Sequence, residues 1–288
     1  MTLLIAIILG LVQGLCEFLP VSSSGHLVLL QNVFGVTENS LFFAIMLHFG
    51  TLIAVVVVYR ESLWGIIRAF FKLIGLLFSG KKEELKAHTA SEDVWKLWLL
   101  IIATAITTAM ALAFGDLIEE SYQGTYLGFG FLITAIALFL MNFVGQGKHT
   151  IGETKWYKAA GIGLMQGIAI LPGISRSGCT IASASYMGLK KEAAAEFSFL
   201  LSIPAILGSL ILEVPDVIRE GAVGVDWLNV TIGTLVAAIS GFFAIKLMIK
   251  LIVNKSLNVF AIYTLVLGIL VLLDQFVFNL VFSSPLIG

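Results

Sequence analysis

The sequence predicts an all-α polytopic membrane protein with six transmembrane helices and two re-entrant helical hairpins, arranged as an inverted-topology repeat. Hydrophobic residues make up 59% of the 288 residues and charged residues only 12%, whereas about 25% of the residues in a typical soluble domain are charged. Six apolar segments are long enough to cross a bilayer as helices. They are residues 41–59, 96–114, 125–144, 196–213, 229–249 and 257–274.

Two further apolar regions are each interrupted by Pro, Gly and Ser. Segments 3–19 and 27–34 flank the loop PVSSSGH, and segments 159–171 and 181–189 flank the loop PGISRSGCT. A break at membrane depth is tolerated only where the backbone lines a polar cavity or is buried in protein. We therefore interpret both regions as re-entrant hairpins.

The two hairpin regions resemble each other. The sequence GLVQG that begins at Gly10 returns as GLMQG at Gly163, and Gly25 after the serines returns as Gly178. Both pairs are separated by the same offset, so the similarity extends over the whole of each hairpin.

This similarity predicts one membrane domain, 1–288, built from the repeats 1–150 and 151–288. Three spans follow each hairpin, and because three is odd, the second repeat inserts upside down relative to the first. The two hairpin tips then approach from opposite faces and meet near the midplane. Inverted repeats with broken helices at the midplane commonly form a binding site there.

The charged residues predict the orientation. The net charge of −1 argues against a nucleic-acid partner, which would need a basic surface. Nearly all Lys and Arg residues lie on one predicted side, which the positive-inside rule makes cytoplasmic. They are Arg60, Arg68, Lys72, Lys81, Lys82, Lys86, Lys96, Lys148, Lys155, Lys158, Lys190, Lys191, Lys246, Lys250 and Lys255. Both termini are then extracytoplasmic, and residues 60–94 begin with an amphipathic helix on the cytoplasmic membrane surface.

Polar residues are concentrated in the two loops. Glu17 and Arg176 are ionisable residues in apolar surroundings, which are functional candidates by default in a membrane protein. The loops add Ser22, Ser23, Ser24, Gly25, His26, Gly173, Ser175, Ser177, Gly178 and Thr180. Hydroxyl groups, glycine amides, helix N-termini and one arginine are suited to binding an anion. Carboxylate, histidine and serine supply a metal ligand or base, a proton carrier and a nucleophile.

Three other interpretations remain open on these residues alone. Glu17 and Arg176 would form a purely structural ion pair if the serines were only helix caps. Inverted repeats with broken helices also suit a flippase or transporter for polyisoprenyl phosphates, and a non-catalytic lipid-binding protein is a weaker option. His48 lies in the middle of a predicted span, and we expect it to be a hydrogen-bonded packing residue.

Two motifs resemble a known family. QGLCEFLPVSSSGH is similar to the E/Q-x-x-x-E motif and the following P-V-S-S-x-G-H of undecaprenyl-diphosphate phosphatases, also called bacitracin-resistance proteins. LPGISRSGCT is similar to their second signature, P-G-x-S-R-S-x-x-T. The resemblance covers nearly the whole chain. Gln13 takes the first position of the acidic motif, so a mechanism that needs two carboxylates there is not expected.

The resemblance implies a phosphatase that converts undecaprenyl diphosphate to undecaprenyl phosphate and phosphate at the outer face of a bacterial inner membrane. This reaction recycles the carrier lipid for peptidoglycan synthesis and gives bacitracin resistance. By motif position, Glu17, His26 and Arg176 would be essential. Ser22, Ser23, Ser175, Ser177 and Thr180 would surround the diphosphate.

The implied cofactor is a divalent cation, Mg²⁺ or Ca²⁺, with Glu17 as ligand and Gln13 as a neutral oxygen ligand. Ser23 or His26 would attack the terminal phosphorus, and we favour Ser23 with His26 exchanging protons. The expected partners are the polyisoprenyl diphosphate and membrane lipid, and the sequence leaves open whether the chain acts as a monomer or a homodimer.

Overall fold

The computed structural model describes residues 1–36, 40–121, 124, 126–220, 226–254 and 256–282. Within these residues the chain forms α-helices and no strand, and a single isolated bridge joins His149 to Leu189. The helices are α1 (Leu3–Phe18), α2 (Ser23–Phe34), α3 (Ser40–Val58), α4 (Arg60–Ser79), α5 (Lys82–Thr89), α6 (Glu92–Ala113), α7 (Gly115–Ser121), α8 (Leu127–Leu140), α9 (Trp156–Ile168), α10 (Arg176–Tyr186), α11 (Lys191–Glu220), α12 (Trp227–Asn254) and α13 (Asn258–Leu273). The prediction of an all-α polytopic membrane protein is confirmed.

Each of the six predicted spans coincides with a helix. Four of these helices, α6, α11, α12 and α13, are long and apolar enough to cross a membrane. The other two contain shorter apolar stretches, Phe42–Val58 in α3 and Leu127–Phe143, where a 3₁₀ turn extends α8. The first residue predicted for this last span, residue 125, lies outside the described residues, as do Lys255 and the C-terminal end from residue 283.

Helix α4 also meets the length and hydropathy criteria for a span. It is the predicted amphipathic surface helix. Ile66, Ala69 and Leu76 are buried on one face, whereas Phe71 and Phe78 are strongly exposed. Helix α4 therefore packs on the protein through one face and exposes large apolar side chains on another.

The two interrupted regions form paired short helices, α1 with α2 and α9 with α10. Helix α1 stops at Phe18, and Leu19 is extended, as expected for the residue before Pro20. The second helix of each pair then begins with a serine cap. The Ser22 hydroxyl accepts a hydrogen bond from Gly25 N at 3.3 Å, and the Ser175 hydroxyl accepts one from Gly178 N at 3.1 Å.

Helices from the two halves of the sequence pack on each other. Helix α1 lies against α12, and α9 lies against α6. Both contacts use glycine for close backbone approach: a Cβ atom on Gly10 would collide with the carbonyl oxygen of Gly233, and one on Gly163 with that of Ala103. The two halves are therefore interlocked.

The largest cluster of buried apolar side chains lies where these helices cross. It combines Phe18, Leu99, Ile162, Phe199 and Ile245, which come from α1, α6, α9, α11 and α12. Since both hairpins contribute to one core, the core fixes the position of one hairpin tip relative to the other.

Candidate active site

Glu17 is the centre of the polar site. It lies in the last turn of α1 and is 6% exposed. Its Oε1 atom accepts a hydrogen bond from Nη2 of Arg176, the first residue of α10. Its Oε2 atom accepts hydrogen bonds from Ser23 Oγ at 2.5 Å and from Gln13 Nε2 at 2.9 Å. One carboxylate thus brings together residues of both hairpin tips.

His48 extends this group of side chains. Its Nδ1 atom lies 2.9 Å from Gln13 Nε2 and 3.6 Å from Glu17 Oε2. An ionised carboxylate can only accept hydrogen bonds, so the amide group of Gln13 turns its NH₂ towards Glu17. The same NH₂ group faces His48, whose Nδ1 must therefore accept and carry no proton. His48 is hydrogen bonded, as expected, but its partner belongs to the site.

His26 lies in the first turn of α2 and is 7% exposed. Its Nδ1 atom is 2.7 Å from the carbonyl oxygen of Ser22, and its Nε2 atom is 2.6 Å from the hydroxyl of Tyr263. Ser23 contacts Glu17 instead. The structure therefore places the two candidate nucleophiles in different hydrogen-bonding environments.

Sequence reasoning did not find Tyr263. It precedes Thr264 in the long apolar segment that forms α13, and tyrosine is common near membrane interfaces. Its only unusual signal is that it lies within the hydrophobic run rather than at its end. The role of such a residue depends on which helix packs beside it, and the local sequence does not contain that information.

The remaining hydroxyl groups lie at the starts of α2 and α10. Ser22 and Ser175 cap the two helices, and their hydroxyl groups lie 3.4 Å from that of Ser24 and 3.3 Å from that of Ser177, respectively. Thr180 differs, because its hydroxyl bonds to the Arg176 carbonyl at 2.8 Å and to Ser198 Oγ at 2.5 Å. The described contacts therefore tie Thr180 to α10 and α11.

The three loop glycines lie where the hairpin tips touch. Gly173 has a φ of +86°, a conformation that residues with a Cβ atom rarely adopt. A Cβ atom on Gly25 would lie 2.9 Å from Gly173 Cα, and one on Gly178 would lie 3.2 Å from Pro20 Cβ. These glycines are thus needed for contact between the hairpins, in addition to any approach of a ligand.

Two buried polar atoms of the site have no hydrogen-bond partner among the described residues: Oε1 of Gln13 and Nη1 of Arg176. The first is the neutral oxygen of a side chain whose NH₂ group contacts the Glu17 carboxylate, and the second is a charged donor. Carboxylate and amide oxygens suit Mg²⁺ and Ca²⁺, and Mg²⁺ is commonly held by one or two carboxylates together with substrate phosphates. Gln13 and Glu17 therefore fit a divalent cation that shares the site with an anion. No group of three or more His, Cys, Asp and Glu residues with metal-ligand geometry occurs in the described part of the chain.

Comparisons with known proteins find similar chains over nearly the whole sequence. The family model described as bacitracin resistance protein BacA matches residues 6–270. A protein of Carboxydothermus hydrogenoformans named undecaprenyl-diphosphatase is 41% identical, over 94% of this chain and 96% of its own length. Proteins with the same name from Alkaliphilus metalliredigens (42% identical, over 95% and 98%) and Methanobrevibacter smithii (40% identical, over 96% and 98%) are equally similar.

Proposed function

Because this chain belongs to the BacA family of bacitracin resistance proteins, we propose that it hydrolyses undecaprenyl diphosphate to undecaprenyl phosphate and inorganic phosphate. The observation that carries the proposal is the Glu17 carboxylate, which joins Ser23 of one hairpin to Arg176 of the other. A nucleophile, a base and a charged anion-binding group thereby share one buried site. The relatives are similar to this chain over nearly their whole length, and they are named undecaprenyl-diphosphatase. The name favours hydrolysis over a flippase.

Arg176 binds the diphosphate. Its Nη1 atom is buried without a partner among the described residues, so it has a donor left for a phosphate oxygen. Guanidinium groups hold phosphate through two parallel hydrogen bonds. The first amides of α2 and α10 point in the direction that favours an anion, and Ser22 and Ser175 order these helix starts.

Ser23 attacks the terminal phosphorus. Its Oγ atom donates to Glu17 Oε2 at 2.5 Å, so an acceptor for the proton is already in contact. A bond forms between Oγ and phosphorus while the bond to the leaving undecaprenyl phosphate breaks, and the proton moves to the carboxylate. Water then attacks the phosphoserine, and its proton passes to His26. The bond between phosphorus and Ser23 Oγ breaks, Glu17 returns its proton to Oγ, and phosphate leaves.

Glu17 and Gln13 would be the protein ligands of a divalent cation. Bound there, Mg²⁺ or Ca²⁺ supplies positive charge that offsets the negative charge of the diphosphate. Both Glu17 oxygens already accept hydrogen bonds, so the cation would share one of them with these donors. Gln13 Oε1 is unpartnered within the described residues and would be the second ligand.

In the membrane, α3, α6, α8, α11, α12 and α13 are the six spans, and α1–α2 and α9–α10 are the re-entrant hairpins of two inverted repeats. The exchange of contacts between the halves, α1 on α12 and α9 on α6, supports this arrangement. In the bacterial inner membrane, the Lys- and Arg-rich side is cytoplasmic. Both termini and the entrance to the site are then periplasmic, and the prenyl chain stays in lipid.

The experiment that tests the function is phosphate release by the detergent-purified protein. With Mg²⁺ present, undecaprenyl diphosphate should yield one phosphate per lipid, and undecaprenyl phosphate should yield none, because the site cleaves an anhydride. A folded protein that binds the diphosphate but releases no phosphate would refute the phosphatase and support a flippase or lipid-binding protein.

A further inference from the structure

The His26 ring is held from several sides. Its Nδ1 atom faces the Ser22 carbonyl oxygen at 2.7 Å. The edge of Phe131 meets the ring, with centroids 5.4 Å apart at 84°. Tyr263 from α13 lies nearly parallel to it, at 11° with centroids 5.6 Å apart, and its hydroxyl reaches Nε2 at 2.6 Å. Helix α13 is thus linked to the site through one tyrosine hydroxyl.

These contacts define the tautomer of neutral His26. A carbonyl oxygen can only accept a hydrogen bond, so Nδ1 carries the proton and donates to Ser22. Nε2 then has a lone pair, and the Tyr263 hydroxyl donates to it. The nitrogen available for proton exchange is therefore Nε2.

The same contact also suits protonated His26. When Nε2 takes up a proton it becomes a donor, and the phenolic oxygen of Tyr263, which both donates and accepts hydrogen bonds, can accept from it. The hydrogen bond reverses its direction without any movement of heavy atoms. A tyrosine at this position can stabilise both states of the histidine, whereas a phenylalanine would stabilise neither.

We propose that Tyr263 is a positioning residue for the reaction, acting through His26. It holds Nε2 in place and is its hydrogen-bond partner in both protonation states. Because the hydroxyl occupies the Nε2 lone pair, a proton from water reaches His26 when the phenolic oxygen takes it up and the hydroxyl proton passes to Nε2. This proposal rests on the proposed role of His26 as proton carrier. If His26 were the nucleophile, the hydroxyl would block the attacking lone pair, and its removal would leave turnover unchanged or raise it.

The test compares Tyr263→Phe, His26→Ala and the double variant in the phosphate-release assay with purified protein. Tyr263→Phe removes one oxygen and keeps the ring that stacks on His26. We expect kcat to fall about 10- to 100-fold, a part of the 10²–10⁴-fold typical of a complete proton-transfer group. KM should change less than about twofold, because Tyr263 acts on the proton transfer and not on binding. The double variant should be no slower than His26→Ala, since Tyr263 acts through His26.

Tyr59→Phe is the matched control. Tyr59 is partly buried and its ring lies 6.1 Å from that of Phe199, away from His26, so its kcat should equal that of the wild type. Thermal unfolding of each variant shows whether a loss reflects misfolding. An unchanged or raised kcat in Tyr263→Phe, a change in KM alone, or an additive loss in the double variant would overturn the role of Tyr263. An active His26→Ala would instead refute the proton-carrying role of His26, so the two failures are distinguishable.

Discussion

Replacing Arg176 with Lys tests whether the site binds a diphosphate through a planar fork of donors. Arg176 Nη2 donates to Glu17, and Nη1 is buried and unpartnered within the described residues. Lysine keeps the charge and can keep the ion pair, so we expect the variant to fold. It has a single nitrogen, however, so it cannot present two parallel donors to a phosphate.

The size of the effect follows from the lost donor. A hydrogen bond to a charged group contributes about 1.5–3 kcal/mol, and about 1.4 kcal/mol corresponds to a tenfold change in rate. The Arg176 side chain is only 15% exposed, so water replaces the missing donor poorly. We therefore expect kcat/KM for Arg176→Lys to fall about 10- to 150-fold.

Phosphate release from undecaprenyl diphosphate measures this ratio, with thermal unfolding as a check on folding. Arg68→Lys is the matched control, because Arg68 is exposed on α4 and its described contacts are with Trp64, a 3.4 Å hydrogen bond to the carbonyl and a cation–π contact with the ring. Its kcat/KM should equal that of the wild type. If Arg176→Lys retains more than half of the wild-type kcat/KM, Arg176 acts only as a countercharge. The proposed binding of phosphate through two parallel hydrogen bonds would then be wrong.

Three further predictions follow from the same site. Glu17→Gln keeps the shape of the side chain and removes its charge, so activity should collapse and excess Mg²⁺ should restore part of it; no loss would contradict the ligand and base roles. Acid-quenched turnover of labelled substrate should leave an acid-stable label that Ser23→Ala lacks, whereas an alkali-stable, acid-labile label lost in His26→Ala would show histidine attack. A periplasm-active reporter fused after the last residue should be active, and one inserted near Lys82 should be inactive. The same result at both positions would refute the prediction that three spans follow each hairpin.

Local sequence was sufficient to predict the broken helices and the ionic centre of the site. Pro20 ends α1, and Ser22 and Ser175 start the next helices through bonds to amides three residues later, which is a local effect. Glu17 and Arg176 were identifiable because an ionisable residue in an apolar segment is costly unless it has a function or a partner. The structure shows that they are partners.

The contributions of His48 and Tyr263 could not be predicted locally. Each lies on a regular, mostly apolar helix, where packing is the usual role of a polar side chain. Each reaches the site because α3 or α13 packs beside a hairpin. The contact of Thr180 also depends on tertiary packing, because its hydroxyl bonds to Ser198 on α11. Its predicted place beside the diphosphate stays a prediction.

The two hairpins have diverged in a way that explains the charge of the site. When the two repeats are aligned by their offset, Ile170 is equivalent to Glu17, Arg176 to Ser23 and Cys179 to His26. Two buried carboxylates facing each other would repel, and one of them would be held neutral, whereas one carboxylate and one guanidinium compensate each other.

This pairing leaves no positive charge in excess when the negatively charged diphosphate arrives. Arg176 is the only Lys or Arg in the two loops PVSSSGH and PGISRSGCT, and it cannot neutralise Glu17 and the diphosphate together. Charge balance therefore supports the proposed cation, for which the unpartnered Oε1 atom of Gln13 would be a neutral ligand.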